Sequence, residues 1–207
     1  MSNKFIVKNS LYITSILAVI VLFITIIFWN QMPMTQRLIG IYYVLIAFHE
    51  WEEMKFPGGF VELVIKLTGM PVKDMTIPKF MLFLITVYML LIPFCIPSLH
   101  WLVIGPLVLG IIEPIAHLAV AKVDSKGKFY SPGMFTALFL MIPIDIYTIY
   151  YLSTQEVFPW TYWLISTILI LAPLLMVQRF IVVHLMKMSY FEFIKNTRDS
   201  ILKKRKV

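Results

Sequence analysis

Leu38-Ile-Gly-Ile-Tyr-Tyr-Val-Leu-Ile-Ala-Phe48 is an apolar run that leads straight into His49-Glu50-Trp51-Glu52-Glu53. The first part reads as a helix in an apolar surrounding. The second part puts four ionisable side chains into five residues. A charged side chain inside a bilayer costs roughly 2.5–3.5 kcal/mol on insertion scales, so such a cluster demands a role. On a helix, residues three and four apart are neighbours. His49, Glu52 and Glu53 are therefore expected on one face, offering one imidazole and two carboxylates, with Glu50 and Trp51 turned toward the interface.

The surrounding is read from the rest of the chain. Of its 207 residues, 60% are hydrophobic and only 14% charged, against about 25% charged in soluble domains. Cys95 is the sole cysteine, so no disulfide can form within the chain. The net charge of +7 would raise nucleic acid in a soluble protein. Here loop placement accounts for it, so membrane lipid is the expected partner and nucleic acid is not.

The pattern predicts an all-α fold, a polytopic membrane helical bundle of six transmembrane helices. The spans fall at about 11–29, 36–54, 78–96, 100–121, 132–153 and 159–184. The first run lacks a small-residue cleavage site and has about the ~20 residues a spanning helix needs. Between the second and third spans, Phe60, Leu63, Val64 and Leu67 share one face of a short amphipathic helix suited to the interface. Pro106 and Pro114 lie within the fourth span, where a missing N–H permits a kink. One domain is expected over 1–186, followed by a basic tail over 187–207 that ends Lys203-Lys204-Arg205-Lys206. That tail suits either an anionic lipid surface or plain solvent.

Lys and Arg fall overwhelmingly on the side of the N-terminus, the loops after spans two and four, and the C-terminus. The other side holds only Arg37, and Arg179 lies near the end of the last span. Both termini are thus expected to be cytoplasmic. At ~1.5 Å per residue, His49 lies roughly 10 Å in from Phe56, while Glu113 and His117 lie about 14 and 8 Å in from Lys122. Glu113-Pro-Ile-Ala-His117 and the start of Tyr130-Ser-Pro-Gly133 therefore share a layer with the opening cluster. Asp145 sits about 20 Å beyond Pro132 by the same rise, and a buried hydroxyl or water is its expected partner.

Two imidazoles and three carboxylates in one layer fit a divalent metal, zinc first and iron or manganese next. His49, Glu53, Glu113 and His117 are the candidate ligands, with Glu113 as ligand or orienter. Glu52 is a candidate ligand or general base. Tyr130 is a candidate for orienting a carboxylate or substrate, or an aromatic-belt anchor. Neither His-Glu-x-x-His nor His-x-x-Glu-His is met, because the motif closes on Glu53. The readings left open are a metal-dependent hydrolase acting on a lipid or membrane-embedded substrate, a proton-coupled transporter or ion relay, and a non-catalytic subunit whose helices share a polar network.

His49-Glu50-Trp51-Glu52-Glu53 resembles the signature of the HXXEE-domain membrane proteins. Tyr130-Ser-Pro-Gly133 is similar to that family's Tyr-x-Pro-Gly motif. Glu113-Pro-Ile-Ala-His117 is similar to its Asn-x-x-x-His motif, with Glu in place of Asn. The resemblance covers about 40–153 and implies an integral protein of the bacterial cell membrane, with no reaction assigned. Oligomeric state is not legible.

Overall fold

A computed structural model of the protein describes residues 5–6, 8–68, 76–123, 129–155 and 159–204, and every regular element among them is helical. We number them α1 (Ser10–Ile27), α2 (Met34–Met54), α3 (Phe60–Thr68), α4 (Ile77–Cys95), α5 (His100–Val123), α6 (Met134–Ser153), α7 (Trp160–Leu185) and α8 (Tyr190–Lys204). Pro71, Lys73, Asp74, Lys126, Lys128 and Glu156, in the polar connections between the expected spans, lie outside the described residues. So do the chain ends with Lys4, Arg205 and Lys206.

Among the described residues five helices, α1, α4, α5, α6 and α7, are long and apolar enough to cross a membrane. α2 has 21 residues but carries Arg37, Glu50, Glu52 and Glu53. Its position accounts for that mixed character. Leu38, Ile39, Tyr42 and Tyr43 are almost fully buried, at the centre of the core with Leu90 of α4, Ile104 and Leu107 of α5, and Met141 of α6. Ile16, Val19 and Phe23 of α1 and Ile165 and Ile168 of α7 instead face outward. Apolar side chains on the outside suit a bilayer, where lipid tails replace water. At Gly40 an added Cβ would strike the Thr25 hydroxyl, so glycine sets how closely α1 approaches α2.

Trp51 near the end of α2 donates to Ser15 Oγ near the start of α1 at 2.7 Å. Gln36 near the start of α2 donates to the Phe94 carbonyl near the end of α4 at 2.8 Å. Successive long helices therefore run antiparallel, and the opening motif lies at the end that also holds the start of α6. α3 packs at this end too, and α8 is tied to it by Ser200 Oγ, which donates to Leu67 O at 2.8 Å. Ser189 caps α8 through a reciprocal pair with Glu192: the Glu192 carboxylate accepts from Ser189 N at 2.9 Å, and Glu192 N donates to Ser189 Oγ at 3.2 Å. These bonds hold the exposed Glu192 carboxyl below the usual carboxylate range.

Candidate metal centre

α2 and α5 each bring a His–Glu pair one turn apart, and the two pairs face each other. His49 Nε2 lies 3.4 Å from His117 Nε2. Glu53 Oε1 is 3.7 Å from the first and 3.3 Å from the second. Glu113 Oε2 is 3.6 and 3.7 Å from the same two atoms. All four atoms lie within 4.8 Å of one another. Metal–ligand bonds of about 2.0–2.2 Å in a tetrahedron give edges of about 3.3–3.6 Å, close to the five edges of 3.3–3.7 Å that the two imidazoles make with each other and with the carboxylates.

The hydrogen bonds behind the imidazoles aim their lone pairs at that centre. Ser131 Oγ donates to the His117 carbonyl at 3.0 Å, so it accepts from His117 Nδ1 at 3.0 Å. Thr136 Oγ1 donates to Glu52 Oε2 at 2.6 Å and accepts from His49 Nδ1 at 2.9 Å. With protons on both Nδ1 atoms, the two rings turn their Nε2 atoms toward each other. Two imidazole nitrogens and two carboxylate oxygens at this range repel unless a proton or a metal cation sits among them. The donor set therefore fits a divalent metal.

The approach is tight. Gly133 has φ +95°, and an added Cβ there would strike the His117 ring and lie 2.9 Å from Glu53 Cγ. The Phe60 ring of α3 lies over His117 at 4.5 Å between centroids. The imidazoles are buried, at 0% side-chain exposure for His117 and 5% for His49. Glu113 keeps 25% and Glu53 16%, so the carboxylates are the exposed part of the centre.

Glu52 is not brought into this cluster. Its carboxylate accepts from Tyr130 Oη at 2.6 Å, Phe135 N at 3.1 Å, and Thr136 N and Oγ1 at 2.8 and 2.6 Å. Glu52 thus covers the first-turn N–H groups of α6, which have no partner within that helix. Residues 49 and 53 share the site face, and 52 turns toward α6, because 100° per residue separates neighbours on the helix. Tyr130 Oη is thereby in contact with this carboxylate. Burial and then the hydrogen bond to Glu52 raise the Tyr130 hydroxyl above the ordinary phenol range, so it stays a donor.

Glu50 does not drop out to the interface as expected. It accepts from Thr86 Oγ1 of α4 at 3.1 Å, and the Thr14 hydroxyl of α1 lies against the same carboxylate. Asp145 has the hydroxyl partner anticipated for it, since Tyr42 Oη donates to Oδ1. Its Oδ2 is buried without a partner, beside Gly110. His184 is exposed and stacks near Phe180. His100 packs edge-on to Tyr162 at the far end. Ser131 and Thr136 were not singled out in the sequence. The first is the variable position of Tyr-x-Pro-Gly, and the second lies in the first turn after it.

A family model described as a protein of unknown function with HXXEE motif matches residues 40–148. No curated protein and no solved structure matches. The matched stretch contains all four clustered residues together with Glu52, Tyr130, Ser131 and Thr136.

Proposed function

The chain belongs to the HXXEE-motif family, whose function is unknown, and we propose that it is a metal-dependent membrane hydrolase acting on a lipid or membrane-embedded substrate. The observation that carries the reading is the pair of oriented imidazoles, with Nε2 atoms 3.4 Å apart between two carboxylates. Zinc is the first candidate by geometry and donor type, iron or manganese the next. Once bound, such an ion supplies Lewis acidity and makes water a nucleophile near neutral pH.

The protein's own residues then have distinct tasks. His49 and His117 would hold the ion, and Thr136 and Ser131 keep their tautomers. Glu53 and Glu113 complete the set. Glu113, the more exposed carboxylate, would be the group to take a proton from water at Oε2. Glu52 and Tyr130 position the start of α6 and so act through Thr136.

We place α2 as a sixth span and both termini in the cytoplasm. Among Lys and Arg, only Arg37 and Arg179 fall outside the N-terminus, the loops and helix ends at the site end, and the C-terminal tail.

Elemental analysis of the purified protein tests the centre. Near one ion per chain is expected in the parent, and little in His49→Ala or His117→Ala. Folded, metal-free parent protein would overturn the proposal. It would favour a proton relay instead, for which the supporting observation is Asp145 packed against Gly110, one turn beyond Glu113.

A further inference from the structure

Beside the centre, between α2 and α6, lies an open cavity of about 520 Å³. Phe48, Trp51, Phe56, Phe135 and Leu140 make its apolar walls, and Glu52, Tyr130 and Thr136 line it as well. This volume falls within the ~300–1,000 Å³ usual for ligand sites. A second cavity of about 140 Å³ lies between α1 and α2, lined among others by Ser15, Val19, Leu22 and Val44. Phe48 and Trp51 line both, so the two grooves flank one ridge. The ridge is held firmly: Trp51 donates to Ser15 and stacks on Phe56 with centroids 5.8 Å apart.

Both grooves run from polar to apolar in the same direction. Tyr130, Glu52 and Ser15 lie at the site end. Leu140 lies about 9 Å along α6 from Met134, Val44 about 15 Å inside Met54, and Leu22 about 18 Å beyond Ser10. Two parallel apolar channels, polar at one end and reaching toward mid-bilayer, match the polarity of a two-chain amphiphile in one leaflet.

We propose that the ridge of Phe48 and Trp51 is the saddle of a binding site for one diacyl membrane lipid, one chain in each groove and the headgroup at Tyr130. It names the substrate class for the hydrolase and rests on that reading for its chemistry, though not for its binding. The lipid is one side chain from the centre, because Thr136 lines the large groove and also holds His49 Nδ1.

Native mass spectrometry of the full chain, released from detergent with added dioleoyl-phosphatidylglycerol or its single-chain lyso form, tests the site. One diacyl lipid per chain is expected, bound about tenfold more tightly than the lyso form. Leu140→Trp fills the large groove and should weaken both lipids about tenfold. Val19→Trp fills the small groove and should weaken only the diacyl lipid. Val19 is exposed and Leu140 half-buried, and an unchanged unfolding midpoint in detergent shows that the fold is kept. Equal retention in all three proteins overturns the proposal, as does equal affinity for the two lipids. A dimer that both substitutions dissolve also overturns it, since a second copy then fills the grooves. Metal is measured on the same samples. Lipid without metal defeats the hydrolase alone, and metal without lipid defeats this site alone.

Discussion

Ser131 and Thr136 decide more at the centre than their plain chemistry announces. Each hydroxyl gives its proton to an oxygen that has none and so must accept from an imidazole Nδ1. Partners of this kind typically change metal affinity by about 10–100-fold when removed. Ser131→Ala should therefore weaken metal binding by about that factor while leaving the helical content intact, measured by competition with a chelating dye. An unchanged affinity would mean that packing alone orients His117. Gly133 shows the same dependence through absence, since its φ of +95° and its closeness to His117 leave no room for a side chain. His49, Glu53, Glu113 and His117 were legible as types at a common depth. Ser131 and Thr136 were not, because one hydroxyl in a chain carries no periodic or spacing signal.

Among elements, the junction of α2 with α6 is the working joint. Glu52 gathers two N–H groups and two hydroxyls from residues 130–136, which fixes where α6 begins relative to His49. Loss of a side-chain cap costs about 0.5–2 kcal/mol. Glu52→Ala is expected to speed amide exchange at Phe135 and Thr136 and to reduce metal occupancy only in part. A complete loss of metal on that change would instead make Glu52 a ligand. Beyond the joint, α6 widens into a π-helical stretch at Ala137–Met141, as α4 does at Val87–Leu91, and a proline follows each two residues on. Pro143 and Pro93 would crowd the carbonyls of Phe139 and Met89, and the wider turn relieves that contact. The prolines were visible in the sequence, but the form of the relief was not, since a kink would have served as well.

For the whole molecule, antiparallel packing puts the start of α1, the ends of α2 and α5, the start of α6 and the end of α7 together. If α2 spans, single cysteines at Lys8 and Lys122 in a Cys95→Ser background react with an impermeant thiol reagent from one side of the membrane. A cysteine at Thr154 reacts from the other. Labelling of Lys8→Cys and Lys122→Cys from opposite sides would remove the sixth span. α8 belongs to the site end as well: it holds α3, and α3 holds Phe60 over His117.

Composition and hydrophobic run length alone determined a helical membrane-type bundle, because a bilayer requires long apolar helices that satisfy their own backbone. The spacing of charged residues also marked the depth of the site, since unpaired charge there is costly. Which carboxylates converge was decided only by tertiary structure. Positions 52 and 53 differ by one residue and 100° of rotation, and packing against α5 and α6 sends Glu53 to the two imidazoles and Glu52 to the helix end. The grooves on either side of Phe48 and Trp51 are likewise a product of three helices meeting, with no counterpart in the chain read in order.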